Sequence, residues 1–268
     1  MRHQQIDDLY FSASALSTYD SCKLKFKKRY LEGLYWPSSW NFTAEKREQI
    51  KRGENFHLLA ERYYSRGQLE RKELIPKLKQ QLAALVEFRP FNKTDQFFPE
   101  QELRFNDGKI KLLAKYDLVY KTKQQVIIYD WKTGGNKPKL NYWQNSIQTL
   151  IYRYLLVKAS GENTFIANLD CEDITLIYWN PNFPNSYQPL NYSQAQYERD
   201  EVRINNLLNE ISTLAEDEFY ATKNLEECQY CEYRPICHGK DPLEIDLAED
   251  DLELDLDWEE ISMVEMEG

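Results

Sequence analysis

The segment that most constrains this chain is a short apolar run that ends in charge, Val126-Ile127-Ile128-Tyr129-Asp130-Trp131-Lys132, followed directly by Thr133-Gly134-Gly135. β-branched and aromatic residues bounded by glycines read as a buried strand. Side chains alternate along a strand, so Asp130 and Lys132, two positions apart, project from one face at its end. A second carboxylate, Asp117, stands near the end of the preceding strand-like run, Ile110 to Tyr120. If the two runs pair through the short turn at 121–125, both carboxylates converge at one sheet edge beside an ammonium. That constellation suits phosphodiester hydrolysis, with oxygen ligands for Mg²⁺ or Mn²⁺ and a cation near the attacking water and the charge developing on phosphorus.

The surrounding pattern places this strand in a mixed fold. Ser12 or Ser14 can cap a first helix running through Tyr19, Cys22, Phe26, Tyr30 and Leu31, apolar at three- and four-residue spacing with lysines between. Helical stretches are expected at roughly 43–66 and 72–87, ending at the break from Pro90 to Pro99. Three strands follow as an antiparallel meander: Gln101 to Phe105, Ile110 to Tyr120 across Asn106-Asp107-Gly108, and Val126 to Trp131. A helix over 141–158, a strand at Thr175 to Trp179 and a helix over about 193–215 complete the series. The expected class is α/β (α+β), a mixed central sheet flanked by helices, with a helical N-terminal region and a cysteine-rich C-terminal segment. There is no GxxxxGK[ST] phosphate loop, which argues against a P-loop motor.

An isolated D-x-K triplet is most often surface charge; its neighbours give it meaning. The run Ile127-Ile128-Tyr129-Asp130-Trp131-Lys132-Thr133-Gly134 resembles the PD-(D/E)XK nucleases, and within them the RecB-like exonucleases. Three more segments follow the family's order: Gly53-Glu54-Asn55-Phe56-His57, Ala114-Lys115-Tyr116-Asp117, and Gln148 with Tyr152 as a Q-x-x-x-Y pair. Ala114 stands where the family usually has glycine. The resemblance implies a restriction-endonuclease-like core in which His57, Asp117, Asp130 and the Trp131 carbonyl bind metal. It further implies that Lys132 positions or helps deprotonate the attacking water, while Gln148 and Tyr152 contact substrate and support that lysine. Glu102, in a segment where the family often has a glutamate, is assigned a structural or DNA-facing role.

Five cysteines include a C-x2-C-x5-C set, Cys228, Cys231 and Cys237, with Cys22 far upstream. Three close thiolates and one remote one can bind Zn²⁺ or hold a 4Fe-4S cluster, and the spacing fits both. One cysteine before the nuclease motifs and three after them is the arrangement of RecB-like nucleases with an iron-sulfur staple, including the CRISPR adaptation exonuclease, so the resemblance favours iron-sulfur. Cys171 is left over as a free thiol.

The net charge of −10 conceals two regimes. Residues 241–268 hold thirteen acids and no Lys or Arg, which leaves thirty-four basic against thirty-one acidic residues, a net of +3, on 1–240. The expected organisation is one nuclease domain, 1–240, and an acidic tail, 241–268, that docks on a protein partner or folds back over a basic groove; the bland reading is a solubilising tail. Lys23 to Tyr30, Lys137 and Lys139 offer basic and aromatic side chains for single-stranded DNA. The start of the sequence shows no apolar leader and no run of eighteen apolar residues occurs, so a cytoplasmic, non-membrane protein is expected. The expected activity is a metal-dependent DNA exonuclease working on DNA ends or single strands, in repair and recombination or in CRISPR adaptation. The alternative is a non-catalytic DNA-binding or helicase-accessory module on the same fold.

Overall fold

A computed structural model describes residues 6, 8–36, 41–68, 74–137, 139–160, 164–166 and 169–245. In chain order the helices are α1 (Ala13–Ser21), α2 (Lys23–Phe26), α3 (Ala44–Arg66), α4 (Pro76–Phe88), α5 (Leu140–Trp143), α6 (Ile147–Lys158), α7 (Gln194–Thr213), α8 (Leu225–Tyr230) and α9 (Arg234–His238). The strands are β1 (Gln96–Asn106), β2 (Lys111–Lys121), β3 (Val126–Trp131), β4 (Ile174–Trp179) and β5 (Leu190–Asn191). The chain divides into two compact units, one of Lys51–Ile204 and one combining Met1–Ile50 with Asn205–Gly268. Among the described residues, no helix is long and apolar enough to cross a membrane.

The unit Lys51–Ile204 holds a five-stranded mixed sheet in the order β1-β2-β3-β4-β5. The antiparallel meander is present, and β4 joins β3 in parallel, so the chain between them must cross over and carries α6. The β1–β2 turn is built by its own side chains. Asp107 Oδ1 accepts the amides of Lys109 and Ile110 at 2.9 and 2.8 Å, and Gly108 takes φ +86°. That turn pairs Asn106 with Lys111 and so fixes the register back to Gln96 opposite Lys121. β1 therefore begins five residues earlier than the sequence pattern implies, because Pro99 lies inside an edge strand, where a missing amide is tolerated.

Large aromatic side chains make the core. Phe56, Tyr63 and Tyr64 of α3 and Leu78, Leu82 and Leu85 of α4 pack with Leu118, Tyr120, Tyr129, Trp131, Ile177 and Trp179 of the sheet. Trp179 and Tyr129 are fully buried. Burying side chains of this size stabilises the unit by roughly 1.5–3 kcal/mol each. α6 lies against β1, β2 and β4. The expected helix over 141–158 is in fact two: α5 ends at Trp143, and Ser146 caps α6 by accepting the Thr149 amide at 3.1 Å.

In the other unit, Ser12 caps α1 as expected, but the first helix does not run on through Cys22. Cys22 is extended (φ −155°, ψ 107°) and its sulfur accepts the Lys25 amide, so the residue ends α1 and caps α2. Phe26 is buried among Phe11, Tyr19 and Phe219. The basic residues around it are engaged inside this unit: Lys23 with Glu210, Lys27 with Glu216, and both Lys25 and Arg29 with the buried Glu232. Past the last cysteine the chain is largely exposed but hydrogen-bonded, the Leu243 amide donating to the Gln229 carbonyl and the Ile245 amide to the Asn41 carbonyl, until the buried Ile245 bridges in parallel to Phe42. Residues 246–268, most of the acidic tail, lie outside the described residues.

Candidate active site

Sheet register draws the acids together. β1–β2 pairs Pro99 with Leu118 and Gln101 with Tyr116, which sets Glu100 opposite Asp117. β2–β3 pairs Leu118 with Tyr129, and one step further the same register sets Asp117 opposite Asp130. Asp130 in turn pairs with Tyr178 on β4. Three carboxylates thus follow one row across three adjacent strands. His57, from α3, joins them with Nδ1 at 3.2 Å from Asp117 Oδ1. His57, Glu100 and Asp117 each place a ligand atom within 4.8 Å of the others.

Asp130 faces a different set of partners. Its Oδ1 lies 2.9 Å from Lys132 Nζ, and its Oδ2 accepts from Gln148 Nε2 at 3.2 Å. Gln148 Oε1 accepts from Lys132 Nζ at 3.1 Å, and its Nε2 also donates to the Tyr152 hydroxyl at 3.1 Å. Gln148 and Tyr152 are one turn apart on α6, which is why a single amide can span acid, lysine and phenol. Tyr116 fixes the far end by donating to the Tyr152 carbonyl at 3.0 Å. The Trp131 amide donates to Asp117 Oδ2 at 2.6 Å, while the Trp131 ring packs against Tyr64 and Tyr129. The structure thus brings the expected residues into two neighbouring sets, His57 with Asp117 and the Trp131 amide, and Asp130 with Lys132, Gln148 and Tyr152.

Sequence reasoning did not single out Glu100; it assigned Glu102 a structural or DNA-facing role. Glu102 is exposed and paired with Arg104 at 2.6 Å. Glu100 is the residue beside Asp117, and it adopts φ +47°, a left-handed backbone that a side chain with Cβ rarely takes. Its carboxylate reaches Lys115 at 3.0 Å. The signal was available: once the 107–110 turn is fixed, counting outward places position 100 opposite Asp117.

Buried negative charge shapes the titration of the site. Desolvation, opposed by Lys132 and reinforced by Asp117, pushes the Asp130 carboxyl up to about 6. Burial and the neighbouring Asp117 likewise raise Glu100. Burial acts upward on Asp117 too, but the His57 charge and hydrogen bond and the Trp131 amide outweigh it and hold that carboxyl below its ordinary value. His57 is opposed by burial, yet Asp117 prevails and raises it. A divalent cation fits this set, because His57, Glu100 and Asp117 offer ligand atoms within 4.8 Å of one another. Asp130 Oδ1, buried and without an aligned hydrogen bond, has coordination to spare.

The four cysteines of the second unit, Cys22, Cys228, Cys231 and Cys237, are free thiols that line one recess with Lys25 and His238. Burial pushes Cys231 up to about 12 and raises Cys228 and Cys237, with the Cys22 sulfur adding repulsion to each. The sulfurs do not close into a tight cluster: among the described residues, no three of them meet within 4.8 Å. Cys171 is buried apart from them.

Fold and site together define a class, nucleases built on a mixed sheet with an acid–lysine centre, and the family comparison agrees. The model of the PD-(D/E)XK nuclease superfamily matches residues 10–97 and 78–238, and this chain belongs to that superfamily. A crystal structure from Eubacterium rectale, described as a candidate exonuclease, superposes with a TM-score of 0.52 at 11% identity, covering 95% of this chain and 96% of its own. A second solved structure, SSO0001, covers 88% of this chain and 87% of its own at 17% identity and a TM-score of 0.40. No curated protein matches the chain in sequence.

Proposed function

We propose that this chain is a Mg²⁺- or Mn²⁺-dependent DNA exonuclease of the RecB-like kind, acting on DNA ends or single strands in repair, recombination or CRISPR adaptation. The observation that carries the proposal is the network in which Gln148 holds Asp130 and Lys132 together beside the His57–Asp117 pair. His57, Glu100, Asp117 and Asp130, with the Trp131 carbonyl, would hold the metal, whose chemistry there would be Lewis-acid polarisation of the phosphate and acidification of a water. Lys132 presents its ammonium where charge develops on the phosphate. Gln148 fixes the lysine between the Asp130 carboxylate and its own carbonyl, so the cation is oriented before substrate arrives. Tyr152 in turn fixes the Gln148 amide.

The same reading assigns Cys22, Cys228, Cys231 and Cys237 to a 4Fe-4S cluster that staples the N-terminal helices to the C-terminal segment. A recess shared by all four residues supports it. The nuclease proposal is tested with purified protein, end-labelled single-stranded and blunt duplex DNA, and Mg²⁺ or Mn²⁺. Activity that requires a free end and disappears in Asp130→Ala supports it. Activity that survives Asp130→Ala places the chemistry elsewhere, and a wild type that binds DNA without cleaving it favours the non-catalytic module.

A further inference from the structure

Lys132 has a partner that no motif contains. Its Nζ lies 4.0 Å from the ring centroid of Trp143 and 5.2 Å from that of Tyr178. With Asp130 Oδ1 at 2.9 Å and Gln148 Oε1 at 3.1 Å, two directions around the ammonium are taken by oxygen, and the indole face closes a third. An ammonium over an indole face is attracted to the ring's negative quadrupole, and tryptophan is the strongest of the aromatic residues in this respect.

Trp143 is itself held in place. It stacks on Tyr178 at 4.7 Å with the planes 28° apart, and Tyr178 is the β4 residue paired with Asp130. The Trp143 carbonyl accepts from Ser146 Oγ at 2.9 Å and from Thr149 Oγ1 at 2.6 Å. Thr149 Oγ1 also lies 2.7 Å from the Tyr178 hydroxyl. One threonine thus ties the backbone of Trp143 to the ring beneath it. The break between α5 and α6, where Ser146 restarts the helix, is what brings Trp143 over the lysine instead of continuing along α6.

We infer that Trp143 is a positioning residue for Lys132: its indole face holds the ammonium against Asp130 and Gln148, in the place the phosphoryl reaction needs it. This rests on the nuclease reading above, so one readout must be independent of activity. Reductive methylation with ¹³C-formaldehyde labels the lysines, and the Lys132 methyl signal, assigned with Lys132→Arg, reports the ring. An upfield-shifted signal that returns to the ordinary position in Trp143→Leu is expected; an unshifted wild-type signal overturns the contact.

The kinetic arm compares Trp143→Phe and Trp143→Leu. We expect kcat in the order Trp, Phe, Leu, with leucine lower by on the order of tenfold, equivalent to about 1.4 kcal/mol. KM and the affinity for single-stranded DNA should stay within about twofold. Equal kcat in the Phe and Leu variants would reduce Trp143 to packing and overturn the inference. If either variant unfolds, fluorinated tryptophans placed at 143 alone preserve shape; log kcat falling with each fluorine supports the role, and a flat series overturns it. Were the wild type no more active than Asp130→Ala, the nuclease reading would fall, while the methyl shift would still decide the contact.

Discussion

Replacing Asp130 with asparagine should make the metal-free protein more stable while removing its activity. Asp130 is 4% exposed, and burial lifts its carboxyl from an ordinary 3.8 to about 6. A raised acid binds its proton more tightly in the folded state than in the unfolded chain. Stability is therefore fully present below about pH 3.8 and is lost as pH rises through about 6. Each pKa unit corresponds to 1.36 kcal/mol, so ionised Asp130 weakens the fold by about 3 kcal/mol at pH 7. Asparagine resembles the neutral acid in shape and hydrogen bonding and escapes that penalty. Urea unfolding of wild type and Asp130→Asn in EDTA, at pH 4.5 and 7.5, measures the difference. The expected gain is about 1 kcal/mol at the lower pH and approaches about 3 kcal/mol at the higher. Added Mg²⁺ should stabilise the wild type and close the gap, because the cation binds the charge that asparagine lacks. A variant no more stable than wild type at pH 7.5, or equally stabilised at both pH values, would refute the account of the site as crowded, metal-seeking charge.

Three further outcomes follow from the same geometry. Asp117 raises His57, so metal must displace a proton from the ring; apparent Mn²⁺ affinity by calorimetry should rise with pH from 6 to 8, and His57→Gln should flatten that dependence. Glu100→Gly should relieve a left-handed backbone worth about 1–2 kcal/mol, raising the Tm of metal-free protein while weakening Mn²⁺ binding at least tenfold, whereas Glu100→Gln should weaken binding without the full gain in Tm. Anaerobically purified protein should absorb broadly near roughly 400 nm, with the band lost in Cys22→Ser; a colourless protein with stoichiometric zinc would replace the cluster with a mononuclear site.

Much of the site was legible because the chemistry is carried by short local patterns. Asp130 and Lys132 end a strand whose composition admits little else, and Gln148 and Tyr152 sit one helical turn apart. His57 required family resemblance, since a lone helical histidine has no periodicity to betray it. Glu100 was hidden by Pro99, which reads as a break but here sits on an edge strand that tolerates it. Cys22 and Ser146 were hidden for a shared reason. Each lies inside an apolar period that looks continuous, and each caps the helix that starts after a break, which periodicity does not register. Trp143 counted as one more apolar residue of a long helix, and only the break at Ser146 gave it a different task.

The turn at 107–110 has a reach beyond its own geometry. Its length sets the register of β1 on β2, and that register alone decides which residue stands opposite Asp117. A one-residue slip of β1 would replace Glu100 at that place by Pro99 or Gln101 and turn the buried Leu103 and Phe105 to the other face, while the proposed ligands on β2, β3 and α3 stayed where they are. Loop length, ordinarily the freest variable in a protein, is here a parameter of the proposed metal site. Length variation at this hairpin in natural relatives would therefore sort enzymes by how many carboxylates they bring to the ion.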